Sequence, residues 1–199
     1  MPFSRIAAAL IFALTPAISV SAETILRHSA LSLSRDGDRT LDVEFKDAGS
    51  FKSPQHAAVV VRKADGKIAA RYDPCSSCVY SDTAWGAVDG EFAFVGSSRG
   101  IATLYRVANG KLRSATKIHG EIHALRFSPD GTRIAMLVTR SPHKVSGATS
   151  VGVSLAGQVG SNPDEQRLEV LNPKEELSHP ISPSDRYVYE YDWMPDGRG

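Results

Sequence analysis

The pattern of apolar and polar positions along the chain repeats a unit of two short strands joined by an Asp-Gly turn. Its clearest copy is IHALRFSPDGTRIAMLV at residues 122–138, where alternating residues lead into the turn and an apolar run follows it. Alternation predicts a half-buried strand, and a short apolar run predicts a strand packed on both sides. We therefore expect His123, Leu125 and Phe127 to share one face of the first strand.

Three weaker copies of this hairpin lie elsewhere in the chain, at residues 29–45, 83–95 and 187–199. An aspartate in such a turn accepts backbone N–H bonds, and the glycine tolerates a positive φ. A second hairpin follows each of the first three copies, which gives units of four strands. The predicted turn residues of the four copies are Asp36-Gly37, Asp89-Gly90, Asp130-Gly131 and Asp196-Gly197.

The spacing of the turns is typical of a β-propeller, whose four-stranded blades recur about every 40–45 residues. Gly90 and Gly131 are 41 residues apart. Gly131 and Gly197 are 66 apart, but a polar, Gly/Ser-rich stretch of 25 residues at 141–165 accounts for the excess. The sequence therefore predicts an all-β fold, a partial β-propeller of about four antiparallel four-stranded blades.

The blades are predicted at about 29–72, 83–118, 122–177 and, incomplete, 187–199, with loops at 46–55 and 73–82. The stretch 141–165 is either a recognition loop or a mobile tether, and composition does not separate the two. The chain stops directly after its last Asp-Gly turn, which leaves an unpaired apolar edge. We therefore expect residues 23–199 to be the N-terminal part of a longer propeller protein.

Residues 1–22 have the features of a secretory signal peptide. Arg5 is followed by nine apolar residues at 6–14, and small residues precede a predicted cleavage site between Ala22 and Glu23. The apolar segment is too short to span a bilayer as a helix. No cysteine follows it, which argues against a lipid anchor. We expect a periplasmic or secreted protein without a membrane segment after cleavage.

The charge balance argues against nucleic acid as a partner. The chain has 23 Lys and Arg and 22 Asp and Glu residues, and Arg5 lies in the signal peptide. The remaining charges are equal in number and form no basic run, so neither nucleic acid nor an anionic membrane is an expected partner.

The two cysteines, Cys75 and Cys78, lie in the predicted loop at 73–82. A redox site would place the first cysteine at a helix N-terminus, and a closed zinc site would have four ligands. The sequence around them favours neither. A disulfide that fixes the loop is the favoured interpretation for an exported protein, with a redox or metal role and free thiols as alternatives.

Other candidate chemistry is weak. The G-x-S-x-G pattern at 96–100 is followed by strand-like residues, whereas a nucleophile elbow leads into a helix. His119 and His123 would share a helix face, but they precede a predicted strand. The repeated turn aspartates lack the ligand spacing of a calcium loop. We predict no catalytic, cofactor-binding or metal-binding residue, and no cofactor.

Two stretches resemble known propeller families. FSPDGTRIAML at 127–137 resembles repeats of the Tol-system periplasmic propeller protein and of the propellers of prolyl oligopeptidase family serine peptidases. YVYEYDWMPDG at 187–197 is more similar to exported bacterial members of that peptidase family. The resemblance to the peptidases implies an N-terminal propeller that filters substrates for a C-terminal α/β-hydrolase domain, whose catalytic motifs this chain lacks.

Two functions follow from these resemblances. The leading hypothesis is the substrate-gating propeller segment of an exported serine peptidase, which would meet peptide substrates through a hydrolase domain outside this chain. The alternative is a TolB-like periplasmic propeller that acts as a non-catalytic scaffold and binds a protein partner.

Overall fold

A computed structural model describes residues 25–47, 56–140, 165–173 and 175–197. These residues contain eleven strands and no helix, so that none of them forms a helix able to span a membrane. The strands are β1 (Ile25–Leu33), β2 (Arg39–Asp47), β3 (Ala58–Lys63), β4 (Ile68–Tyr72), β5 (Val79–Trp85), β6 (Phe92–Ser98), β7 (Ile101–Ala108), β8 (Lys111–Phe127), β9 (Ile134–Arg140), β10 (Gln166–Asn172) and β11 (Leu177–Pro180).

The strands form three successive four-stranded antiparallel units. Unit 1 is the sheet β1-β2-β3-β4. The other seven strands form one ladder in chain order, which divides within the long strand β8. Residues 111–119 of β8 pair with β7 and complete unit 2, and residues 120–127 pair with β9 and begin unit 3.

Gly120 is the point at which β8 passes from unit 2 to unit 3. Its φ is +139°, a conformation that L side chains rarely adopt. A Cβ atom here would lie 1.9 Å from the carbonyl oxygen of Thr139. The strand can therefore continue between two sheets only because this residue has no side chain.

The hydrophobic core lies between the units, and unit 2 contributes to both halves of it. Phe94 is fully buried against unit 1, where it joins a cluster with Leu41 and Val59. Its neighbour Val95 is fully buried on the opposite face, in a cluster with Ile134 of unit 3. A strand with both faces covered reads as a continuous apolar run, which is how residues 92–95 appear in the sequence.

The Ser-x-Asp-Gly turns are held by their own side chains. In unit 3 the Ser128 hydroxyl donates to Asp130 at 2.5 Å and accepts from the Arg133 N–H at 2.9 Å. The hydrogen bond from Ser128 lowers the pKa of Asp130 to about 2. Ser34 and Asp36 repeat the hydroxyl–carboxylate bond in unit 1 at 2.6 Å. The predicted turns therefore have a local physical cause.

Two expectations about strand positions are wrong. Ile122 and Leu125 are both buried, and His123 is exposed, because a β-bulge between His123 and Arg126 breaks the expected alternation. The predicted loop at 73–82 is also too long, because β5 already begins at Val79. The predicted loops at 46–55 and 141–165 lie almost entirely outside the described residues.

Residues 187–197 form no ladder strand, although the sequence predicts the start of a fourth blade there. The Val188 N–H donates to the Gln166 carbonyl at 3.0 Å, and the segment then runs beside unit 3. Tyr189 in this segment is 82% exposed.

We predict that Gly120→Ala lowers the free energy of unfolding by about 3 kcal/mol or more, because left-handed strain and a backbone overlap act together. Urea unfolding followed by circular dichroism measures this change. Gly110→Ala is the matched control, since Gly110 also has a positive φ (+69°) but open space around its Cβ position.

The control should cost only the conformational strain, about 1–2 kcal/mol. Equal losses in the two variants would show that the passage between units 2 and 3 does not depend on the missing side chain.

Candidate functional site

The first strands of successive units lie side by side. β1 contacts β5, and β5 contacts β8. We call the exposed side of β1, β5 and residues 120–127 of β8, together with residues 191–193, the inner-strand surface. Residues from every repeat of the hairpin come together on this surface, which makes it a candidate for a site.

Each of these first strands contains a bulge at the same position. The residues at the bulges are Ala30, Asp82 and Ala124, with φ values of 51°, 45° and 52°. Each lies where the strand register shifts against the next strand. Non-glycine residues rarely adopt this left-handed conformation. Its repetition in three units shows that it is a built feature of the surface, and bulges commonly re-aim side chains near functional sites.

Asp82 uses its bulge position to hold the neighbouring unit. Its carboxylate accepts a hydrogen bond from the Ala124 N–H at 2.8 Å and lies 3.4 Å from Nδ1 of His123. The other ring nitrogen of His123 lies 3.2 Å from Glu121. With a carboxylate at each nitrogen, the imidazole donates in both directions when it is doubly protonated.

The electrostatics of this trio favour a charged imidazole. The hydrogen bond to Asp82 raises the pKa of His123 to about 9, with Glu121 adding to the effect and burial opposing it. Burial alone would raise the pKa of Asp82, but the bonds from His123 and Ala124 outweigh burial and lower it. His123 therefore carries a positive charge at neutral pH, half-exposed on the inner-strand surface.

Hydrogen bonds from side chains to backbone connect unit 2 to unit 1. The Thr83 hydroxyl donates to the Ala30 carbonyl, and the indole N–H of Trp85 donates to the Ser32 carbonyl at 3.2 Å. The guanidinium of Arg39 lies over the Trp85 ring, 5.4 Å from its centre. Cation–π contacts of this kind hold a flat aromatic ring in one orientation.

Residues 191–193 repeat the same contacts against unit 3. The Tyr191 hydroxyl donates to the Ala124 carbonyl, and the indole N–H of Trp193 donates to the Arg126 carbonyl at 3.2 Å. Arg133 lies over the Trp193 ring, 5.0 Å from its centre, and thus repeats the contact of Arg39 with Trp85. Although residues 187–197 form no ladder strand, they occupy the place that the first strand of a unit takes against the preceding unit.

A groove of about 430 Å³ lies between these contacts. Its aromatic walls are half-buried, and an ion pair of 2.9 Å between Arg126 and Asp192 spans one side. Asp192 borders this concave surface but is exposed, as is Glu190. The three units and the segment at 191–193 all contribute to the lining, which includes Ser32, Thr83, Trp85, Phe127 and Trp193. Aromatic rings beside a paired guanidinium are typical of surfaces that bind polypeptide.

The predicted site residues lie in several places. Cys75 and Cys78 are joined by a disulfide, and the Cys75 N–H donates to the Tyr80 hydroxyl at 2.9 Å. The pattern at 96–100 belongs to the β6–β7 hairpin, with Arg99 and Gly100 in the turn, and has no helix after it. The turn pair Asp89-Gly90 meets unit 1, because Asp89 accepts from Arg39. Ala22 and Glu23 lie outside the described residues.

Sequence reasoning missed one cluster. His28, Asp42 and Glu44 place a ring nitrogen and two carboxylate oxygens within 4.8 Å of one another on unit 1. They are the one group of possible metal ligands found among the described residues. In the sequence of β2, Asp42 and Glu44 alternate with apolar residues, so both carboxylates are expected on one face. A strand with one solvent-exposed face gives the same pattern, and the alternation therefore does not identify a cluster of ligands.

Comparison with known proteins supports the architecture. A model of the family described as the lipoprotein LpqB beta-propeller domain matches residues 74–169, which include most of units 2 and 3. The crystal structure of TolB from Acinetobacter baumannii superposes with a TM-score of 0.51 at 16% identity. The fold is a β-propeller. The predicted fold class is therefore confirmed, and the coarser resemblance to TolB-like propellers is shown.

This propeller chain spans only part of the structures that it resembles. The match with TolB covers 78% of the chain and 32% of TolB. A candidate 6-phosphogluconolactonase from Bacteroides uniformis gives a TM-score of 0.42 and 11% identity, over 93% of this chain and 49% of that one. An oligogalacturonate lyase in complex with manganese gives a TM-score of 0.41 and 12% identity, over 89% of this chain and 61% of that one. No curated protein matches the chain in sequence.

We predict that the imidazole of His123 titrates near pH 9, measured from its ring proton shifts by NMR. Because the folded pKa lies above the ordinary value, the pair with Asp82 contributes its full stability below about pH 6.5. That contribution is lost as the pH rises through 9. His123→Gln should remove this part of the pH dependence of the free energy of unfolding.

His119→Gln is the matched control, because His119 is an exposed histidine on the same strand outside the trio. The His119→Gln variant should retain the wild-type pH dependence of the free energy of unfolding between pH 6.5 and 9. A titration midpoint for His123 near 6.5 would contradict the proposed charge on the inner-strand surface.

Proposed function

We propose that this chain forms blades of a TolB-like β-propeller in the cell envelope, and that this propeller acts as a non-catalytic scaffold. It binds a protein partner through the groove on the inner-strand surface. The observation that supports this function best is the groove itself, which three units and residues 191–193 line jointly.

The groove has the composition of a protein-binding site. Trp85, Phe127 and Trp193 supply half-buried aromatic area, and Arg126 supplies a guanidinium beside it. Tryptophan and arginine are enriched among the residues that dominate binding energy at interfaces. The indole rings are already fixed by hydrogen bonds to the neighbouring backbone. A rigid surface loses little conformational entropy on binding, which favours recognition by this face.

Two features support a place outside the cytoplasm. The features of residues 1–22 are those of a secretory signal, and the Cys75–Cys78 disulfide suits an oxidising compartment. We therefore propose a periplasmic or secreted protein, with the signal peptide cleaved between Ala22 and Glu23.

The peptidase hypothesis shares this fold and differs in what lies beyond the propeller. It rests on the resemblance of the run at 187–197 to exported peptidases, and it requires a hydrolase domain with a catalytic serine. A scaffold requires neither. The two hypotheses therefore differ in whether the native gene product reacts with a serine-directed probe.

We predict that a photo-crosslinking residue at Pro129, on the rim of the groove, gives one discrete protein adduct in the cells that make the protein. The adduct should be at least tenfold weaker when Trp193→Ala is added, because a central tryptophan contributes about 2 kcal/mol or more to binding. Quantitative immunoblotting measures the adduct, and circular dichroism checks that the variant is folded.

Asn109 is the matched control position, since it is exposed in the β7–β8 turn away from the groove. The same crosslinker there should give no such adduct, and Arg126→Ala should weaken the adduct from Pro129. Equal adducts from both positions would refute binding in the groove. Labelling of the native gene product by a fluorophosphonate would replace the scaffold with the peptidase function.

A further inference from the structure

The outward face of unit 1 differs from the faces that join the units. On β2, Leu41 and Val43 point towards unit 2 and belong to its core cluster. Asp42 and Glu44 alternate with them and therefore lie on the opposite face. Both carboxylates are nonetheless buried, with only 2% of each residue exposed.

The equivalent positions in the other units are apolar. In unit 1 the Ser34 N–H closes the turn by donating to the carbonyl of Arg39, five residues further along the chain. The Gly86 and Ser128 N–H groups each donate to the carbonyl five residues further along in units 2 and 3. Counted from these residues, Asp42 corresponds to Phe94 and Met136, both of which are fully buried in the core. Unit 1 thus carries a charged group where its repeats carry core residues. A buried carboxylate is costly unless a partner compensates its charge.

His28 and Arg62 compensate this charge only in part. Nδ1 of His28 lies 2.8 Å from one oxygen of Asp42 and 3.9 Å from Glu44. Arg62 holds both oxygens of Glu44, one of them at 2.8 Å. The second oxygen of Asp42, Oδ1, is buried and has no hydrogen-bond partner among the residues that the structure describes.

A metal ion would satisfy this arrangement. Imidazole nitrogen and carboxylate oxygens are the ligands of zinc, and carboxylates also suit manganese. An ion would replace the proton between His28 and Asp42 and would take up the unpartnered electron pairs of that carboxylate. Arg62 would remain as an outer partner that orients Glu44, as hydrogen-bonded second partners do at known metal sites.

We propose that His28, Asp42 and Glu44 bind one divalent transition-metal ion on the outward face of unit 1. The two carboxylates and Arg62 leave a net charge of −1 when the imidazole is neutral, so a divalent ion is electrostatically favoured. The two ligands on β2 are fixed by a paired strand, and β1 presents His28 directly opposite Glu44. The site is independent of the groove and of the proposed partner.

Isothermal titration calorimetry with Zn²⁺, and electron paramagnetic resonance with Mn²⁺, test this proposal on the untagged, chelator-treated chain of residues 23–199 with its disulfide intact. We expect one ion per chain and a higher melting temperature with the ion. His28→Ala and the isosteric Asp42→Asn should each weaken binding at least tenfold, since even the loss of an outer partner weakens metal sites by about 10–100-fold.

His56→Ala is the matched control, because His56 forms a similar 2.8 Å pair with Asp73 and no second carboxylate of the described residues joins that pair. It should bind the ion as the wild type does. Absence of binding by the folded chain would overturn the proposal, as would equal binding by the His28→Ala and Asp42→Asn variants. Stabilisation by methylguanidinium but by neither metal would overturn it too, because the face would then accept a cationic side chain.

Discussion

The structure depends on burial of sheet faces between successive units. A four-stranded antiparallel sheet has two faces and cannot bury either by itself. Unit 2 resolves this with large aromatic and branched residues on both faces, such as Phe94 on one and Val95 on the other. The apolar area between neighbouring units, which the hydrophobic effect rewards, therefore fixes how each unit sits against the next.

The inner-strand surface follows from that packing. Once the first strands lie side by side, the bulges at Ala30 and Ala124 bring their backbone carbonyls within reach of the Thr83 and Tyr191 hydroxyls of the next repeat. Trp85 and Trp193 then bond to equivalent carbonyls in different units. The groove is concave because rigid repeats meet there, and its aromatic rings are held in place before any partner arrives.

The outward face of unit 1 has the same strand arrangement as the equivalent faces of units 2 and 3 but carries different side chains. Where units 2 and 3 have Phe94 and Met136, unit 1 has Asp42, so hydrophobic contact cannot be what this face offers. The groove and this face lie on separate surfaces of the repeat. A scaffold with both could hold a protein at its inner strands while an ion stabilises the first sheet.

The sequence by itself determined the elements that depend on neighbouring residues. Alternation, apolar runs and the Ser-Pro-Asp-Gly turn fixed the strands, the hairpins and the all-β class, because their hydrogen bonds form within a few residues. Only the tertiary structure decided the bulge that exposes His123, the pairing of Asp82 with that ring, and the cluster of His28 with Asp42 and Glu44. These depend on strands far apart in the chain, and a repeat pattern records that strands pair but not which polar atoms meet between sheets.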